Sequence, residues 1–413
     1  MGRFRFSNHG WMLILAALTL SALGLVMIFS VTGGLLLSKH YASMTRAATT
    51  TVNTRVFLVG QSIYILVGLL AAVITSMIPV WLMRRVVKPA IVGAFLLLVT
   101  VLFLGVNVNG AHRWFQFMGF SFQPMEFSKI ALILYLAYII EKRVDMLEDP
   151  WKGFGQPLLI TGLMIVLLLM QPDFGSAVLF IVVATLMLFV AGSKLYYFLL
   201  AGAVALPLLW YYMVAGWRLS KRIIPFLHPE YFSQGASYQI IRSLDAFGSG
   251  GVWGYGLGEG PYKMDFLPEA HTDYIAAMIG QELGFAGVAF MILMYCMFLY
   301  AGVRIAWSHR GSMFRFLMAL GLSLMLVLQA LINLSVVMNL IPSKGITLPF
   351  VSFGGSSMLI SFVSLGMLLS LDREHCLAVD RERSGASSVT ADPGAASAAV
   401  EKPVTKRPKP VPA

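Results

Sequence analysis

Long apolar runs separated by short polar breaks organise this chain from near its first residue to about residue 371. The runs span 11–31, 56–79, 89–108, 127–141, 157–171, 175–192, 196–216, 274–302, 316–340 and 354–371. Each approaches the ~20 apolar residues that a helix needs to cross ~30 Å of hydrocarbon. The pattern predicts an all-α, polytopic integral membrane protein with ten transmembrane helices. The fourth and fifth runs are short and are expected to tilt or to extend into their flanks. Read as one helix, 157–192 would be ~54 Å long at 1.5 Å per residue, too long for one crossing. Gln171-Pro172-Asp173-Phe174-Gly175 breaks it, because proline removes a helix hydrogen bond and glycine permits the turn. Two helices joined as a hairpin are therefore expected there.

Composition agrees. The 413 residues are 58% hydrophobic, with a mean hydropathy of +0.79, more apolar surface than a soluble domain can bury. The first run follows Arg3 and Arg5 and has the look of a signal peptide. It exceeds the ~7–15 residues of a signal core and lacks a small-x-small cleavage site, so a retained helix is expected. Cys296 lies in a run and Cys376 lies beyond the last one, which implies no disulfide framework. Residues 384–413, rich in Ala, Ser, Pro and Lys, lack the apolar content to fold. The expected division is a membrane domain over 1–375 and a disordered cytoplasmic tail over 376–413.

Net charge is +11. With no soluble basic domain to present it, no nucleic-acid partner is expected. Arg84, Arg85, Lys88, Lys142, Arg143, Lys152, Lys194, Arg304, Arg310 and Arg315 fall in alternate short loops. That placement orients both termini to the cytoplasm by the positive-inside rule. The long loop at 217–273, between the seventh and eighth helices, is then extracytoplasmic. It carries Arg218, Lys221, Arg222, Arg242 and Lys263. Long loops cross regardless of charge, or these cations meet an anionic ligand.

Four outer-face segments hold most of the remaining polar residues. NGAHRWFQFMGFSFQPMEFSK (109–129) offers His112, Arg113, Trp114, Gln123, Glu126 and Lys129. Glu126 and Lys129, three apart at a helix start, share a face. An interfacial anchor with a helix-start ion pair is the plain alternative. In QPDFGSA (171–177), Asp173 reads equally as the cap of the next helix. In the long loop, the glycine-rich 247–260 must turn repeatedly, and it matches neither a P-loop nor a dinucleotide fingerprint. The stretch PYKMDFLPEAHTDY then packs Lys263, Asp265, Glu269, His271 and Asp273 against the mouth of the eighth helix. Asp273 is either a helix cap or a partly desolvated carboxylate suited to general-base work. Glu282, deeper in that helix, is costly in a membrane and needs a partner, for which Lys344 is a candidate. The fourth segment, 338–357, carries Pro342, Gly345, Pro349, Gly354 and Gly355 and is barred from regular helix. Lys344, its lone charge, either snorkels or binds phosphate. No His/Cys cluster has metal-ligand spacing.

These residues describe an outer-face polar cavity with cations to hold an anion and carboxylates to move a proton. Two function classes fit: an enzyme acting on a lipid-linked anionic substrate, and a transporter with a charged pathway. Clustering of the charges on one face favours the enzyme.

The segments NGAHRWF, FQPMEFSK, QPDFGSA, YQIIRSLDAFGSGG, GYGLGEG, LPEAHTDYIAAMIGQELGF and IPSKGITLPFVSFGGSS occur here in one order. In that respect the chain resembles, over about 1–375, the SEDS family of bacterial shape, elongation and division proteins. Ala270 in PEAHTD and the form of PSKGITLP resemble the division branch more than the elongation branch. The resemblance implies a peptidoglycan glycosyltransferase of the bacterial inner membrane that polymerises lipid II on the outer face, at the division septum. Elongation-type polymerisation and lipid II flipping are the alternatives it leaves. It implies Asp273 as the catalytic carboxylate, Arg113 and Trp114 as an essential pair, and Glu126, Lys129, Asp173 and Lys344 as cavity residues. Arg242, in the substrate loop, and Glu282 complete the candidates. It admits a divalent cation, magnesium or manganese, as an assisting ion. The implied partners are lipid II, the growing glycan chain, a class B penicillin-binding protein acting as transpeptidase, other division proteins and membrane lipids. Three positions depart from the family pattern: Arg242 in place of Gln, Tyr274 in place of Phe, and Phe353 in place of Tyr.

Overall fold

The computed structural model describes residues 5–42, 54–108, 111–117, 120–214, 224–228, 231, 237–261, 270–342 and 345–390. A helix overlies each of the ten apolar runs. They are α1 (Asn8–Ala42), α2 (Thr54–Met77), α4 (Val87–Leu104), α5 (Pro124–Lys142), α6 (Gln156–Met170), α7 (Phe174–Val190), α8 (Leu195–Val214), α11 (Ile275–Ser308), α12 (Met313–Val337) and α13 (Gly355–Thr390). Short helices α3 (Val80–Arg85), α9 (Ile224–Leu227) and α10 (Tyr238–Ser249) complete the set among the described residues. Among the described residues seven helices are long and apolar enough by themselves to cross a membrane, and α7 and the Leu195–Leu208 part of α8 are shorter apolar helices. The chain is a multi-pass membrane protein. A wide π-turn at Pro150–Gly155 extends α6 at its start, as its short apolar run required. The hairpin at 171–173 is present between α6 and α7.

The bundle is packed around α12 and α13, while α2 and α4 turn mostly outward. Close approach depends on small residues, as is usual where lipid leaves little hydrophobic drive between helices. A Cβ at Gly68 would lie 2.4 Å from the Phe362 ring, and one at Gly366 would lie 2.4 Å from the Ala72 carbonyl. These contacts lock α2 against α13. A Cβ at Gly24 would lie 2.4 Å from the Val351 carbonyl, so α1 is seated on the irregular segment before α13. The ends meet as well. Asp372 accepts from the Ser7 amide (2.8 Å) and hydroxyl (2.5 Å), capping the entry to α1 from α13. The first run is thus packed into the core as α1.

Four features differ from the sequence reading. The third run ends at Leu104, and the chain enters a three-stranded antiparallel sheet, β1 (Val106–Val108), β2 (Ala111–Phe117) and β3 (Phe120–Phe122). Val106 and Val108 alternate with Asn107 and precede Asn109-Gly110, the strongest short hairpin signal, which the apolar count overrode. The long loop contains α10, whose Ile240, Ser243 and Ala246 recur at helical spacing and are buried. The eighth run is broken: Gly284 adopts φ 66° and ψ −164° inside α11. Finally, α13 continues to Thr390, beyond the last apolar run. Leu377 and Val379 prolong the apolar spacing, and Asp380 pairs with Arg5 at 2.7 Å. The rest of the tail, 391–413, lies outside the described residues.

The break in α11 is closed by the glycine-rich loop. The amides of Tyr255 and Gly256 donate to the carbonyls of Gln281 and Glu282, both at 3.0 Å. Those of Phe285 and Ala286 donate to Gly251 and Val252 at 2.9 and 3.0 Å. Backbone groups orphaned by the break must be satisfied inside protein, and the loop does this. Gly251, Gly254, Gly256 and Gly258 all have positive φ, and Gly254 lies directly against Gly284.

Candidate active site

A cavity of about 420 Å³ opens between β2, the α6–α7 turn, the start of α5, the turn before α11 and the segment leading into α13. Arg113, Trp114, Glu126, Lys129, Asp173 and Asp273 all line it. Six of the nine candidate residues, from three separate stretches of sequence, therefore converge.

Each is held by identifiable bonds. Arg113 projects from β2 and donates to the carbonyls of Gln171 (2.8 Å) and Pro172 (2.9 Å). Gln171 in turn donates to Leu98 on α4 at 3.1 Å. The strand and the hairpin turn are thereby fixed to each other. Asp173 is buried and caps α7, accepting from the Ser176 amide (3.3 Å) and hydroxyl (2.6 Å). The capping reading holds for Asp173, and the residue lines the cavity as well.

Glu126 and Lys129 form an ion pair at 2.7 Å, each 2% exposed. Such a pair survives burial only with further hydrogen bonds. Lys129 donates to Gln329 at 2.6 Å, and Gln329 donates to the Thr347 carbonyl and hydroxyl at 2.9 and 3.2 Å. Thr347 shares a 2.7 Å hydrogen bond with Ser357. A polar chain thus crosses from α5 through α12 to the segment before α13.

Asp273 sits in the turn preceding α11, half-buried. Tyr274, the next residue, occupies the N-cap position and makes no side-chain cap. The backbone of Asp273 is clamped. Asn333 donates to the carbonyls of Asp273 (2.7 Å) and Ile346 (2.6 Å). Ser352 donates to Thr272 (2.6 Å), and the Phe353 amide donates to His271 (3.0 Å). The Asp273 carboxylate packs so closely on Gly345 that a Cβ there would lie 2.3 Å from it. Burial, and then the Asp273 charge beside it, push the Tyr274 phenol well above its ordinary value, so it stays protonated at neutral pH. His271 stacks edge-on with Phe57 (4.9 Å) and Phe353 (5.8 Å).

Arg242 and Glu282 do not line the cavity. Arg242 lies on α10, 3.4 Å from Asp245 and 5.3 Å above the Tyr238 ring. Glu282 is fully buried near the α11 break, accepting from Ser30 (2.6 Å) and the Gly258 amide (3.3 Å). Lys344 lies outside the described residues, as do Lys263, Asp265 and Glu269. Sequence reading missed Gln329 and Asn333. Their signal was two amides one helical turn apart in an otherwise apolar run.

Comparison with known proteins identifies the family. Residues 10–376 match the cell cycle protein family of FtsW, RodA and SpoVE. A probable peptidoglycan glycosyltransferase FtsW of Trichlorobacter lovleyi is 41% identical over 370 residues, covering 89% of this chain and 94% of that one. Among solved structures, a chain of a peptidoglycan synthase complex that coordinates polymerization and crosslinking superposes with a TM-score of 0.71 at 27% identity. It covers 90% of this chain and 98% of its own. The rod shape determining protein RodA of Thermus thermophilus superposes with a TM-score of 0.63 at 26% identity, covering 90% and 97%. The chain belongs to the FtsW/RodA/SpoVE family of cell cycle proteins.

Proposed function

We propose that this protein is a peptidoglycan glycosyltransferase of the division type, polymerising lipid II at the outer face of the bacterial inner membrane. The observation that carries the reading is the convergence of Asp273, Arg113, Trp114, Glu126, Lys129 and Asp173 on one cavity. In this reading all ten long helices cross the membrane, both termini are cytoplasmic, and the enzyme acts at the septum. A class B penicillin-binding protein crosslinks the strands it makes, and other division proteins accompany the pair.

Asp273 takes the proton from the acceptor sugar 4-hydroxyl. The freed oxygen lone pair attacks the anomeric carbon of the donor chain, and the bond to the pyrophosphate oxygen breaks with inversion. Undecaprenyl pyrophosphate leaves with the bonding electrons. Proton transfer of this kind contributes roughly 10²–10⁴-fold. The Asn333 and Ser352 clamps hold Asp273 rigid, which near-attack geometry requires.

Among the described residues, two basic and three acidic side chains line the cavity. A leaving pyrophosphate needs more positive charge than they offer, and Lys344 is the residue proposed to supply it. Among the described residues no three His, Cys, Asp or Glu side chains converge to build a resident metal cage. A magnesium or manganese ion arriving with the pyrophosphate, whose oxygens it prefers, would neutralise leaving-group charge there.

The test is polymerisation of lipid II by the purified protein with its transpeptidase. Asp273→Ala is expected to lose polymerisation while keeping its melting temperature. Polymerisation at the parent rate would overturn the mechanism. Lipid II translocation in vesicles that persists in Asp273→Ala and vanishes on neutralising charges within the bundle would favour a transporter.

A further inference from the structure

A second polar cavity, of about 440 Å³, lies at the opposite end of the bundle, lined by Trp81, Arg84, Arg85, Lys88 and Tyr138. On α5, Tyr138 is twelve residues beyond Glu126, or about 18 Å along the helix axis. The cavity therefore has no part in the site described above. Residues 81, 84 or 85 and 88 recur at helical spacing across the α3–α4 junction, which turns their side chains to one side.

Its charge is unbalanced. Arg84 is neutralised by Glu141 at 2.7 Å and stacks over Phe314 at 5.7 Å. Glu141 also accepts from Ser312 and the Phe314 amide, both at 3.2 Å, so it is committed to the start of α12. Among the described residues Arg85 and Lys88 make no ion pair. Two positive charges thus face a concave, partly aromatic pocket.

Its position selects the kind of anion. Lys88 is the second residue of the apolar span Val87–Leu104, at the boundary of hydrocarbon and water. Trp81, exposed, and Tyr138 suit that boundary, where amphipathic rings gather. Val92 and Leu96 follow Lys88 at successive four-residue steps and are both exposed, so an apolar track rises along α4 from the pocket. A soluble phosphate has no use for such a track, whereas an acyl chain does.

We propose that this pocket binds an anionic phospholipid of the adjoining leaflet. The phosphodiester lies on Arg85 and Lys88, and an acyl chain lies along Val92 and Leu96. Basic pockets between helices at a membrane boundary recognise headgroups in this way. The proposal is independent of the glycosyltransferase reading.

The test is native mass spectrometry of the purified full-length protein titrated with phosphatidylglycerol or phosphatidylcholine. Phosphatidylglycerol is expected to be retained preferentially, and Arg85→Gln with Lys88→Gln to weaken it about 30-fold. The charge-keeping pair Arg85→Lys with Lys88→Arg should bind as the parent does. If the glutamine pair does not purify folded, each single substitution carries the test, with about a fivefold loss expected. Equal retention of the two lipids, or a glutamine pair that binds like the parent, would overturn the proposal. Displacement of phosphatidylglycerol by millimolar inorganic phosphate would overturn it too, because the site would then take a soluble anion.

Discussion

Asp273 and Asp173 show why similar residues receive different roles. Both are aspartates within a residue or two of a helix start, and both admitted a capping reading. Asp173 spends its carboxylate on Ser176, while Asp273 is held through its backbone and presses its carboxylate against Gly345. Gly345→Ala is therefore expected to push that carboxylate aside and cut polymerisation about 10²-fold, with melting unchanged. Asn333→Leu leaves the Asp273 and Ile346 carbonyls without their donor. A destabilisation of about 1–3 kcal/mol is expected in thermal melts, with a fall in kcat exceeding any rise in KM. The lining residues marked by charge stood out in a chain so poor in charge. Gln329 and Asn333 did not, because a neutral amide barely changes an apolar run and its partners are distant in sequence. Arg242 was conspicuous as a charge, yet it lies outside the cavity lining and pairs with Asp245 on its own helix.

Helices were legible wherever apolar runs reached membrane length, and breaks were legible only where proline marked them. Pro172 gave away the α6–α7 turn. Gly284 gave nothing away, since glycine inside an apolar helix is tolerated and its φ depends on a loop about thirty residues upstream. Gly284→Ala forces a Cβ to within 2.4 Å of the Gly254 nitrogen at a φ that alanine resists. A loss of about 1–3 kcal/mol in detergent melts is the expected result. The far end of α11 offers a pH test. Burial, the leading effect, lowers the His309 basicity, with its ring bonded to the Ile305 carbonyl at 3.0 Å. A folded value below the ordinary 6.5 means that protonation favours the unfolded chain. Stability is full above about pH 6.5 and falls as pH drops toward the folded value. Melting curves between neutral and mildly acidic pH should show the decline, and His309→Asn should flatten it.

For the whole molecule, hydropathy settled the class, while the pairing of helices depended on glycines that no local pattern singles out. The α2–α13 contact, at Gly68 and Gly366, joins elements from opposite ends of the chain, and the Ser7–Asp372 bonds do the same. This has a consequence for biosynthesis. The first helices enter the membrane long before α13 has been translated, and they wait with their glycine faces turned to lipid or to an insertion factor. Assembly is completed only when the last helix arrives, because non-local contacts form after the chain between them is in place. A chain ended before Gly355 is accordingly expected to insert but to be degraded within a pulse-chase experiment. One ended after Thr390 should persist like the parent. The closing helix thus acts as a late check that the helices before it have all been made.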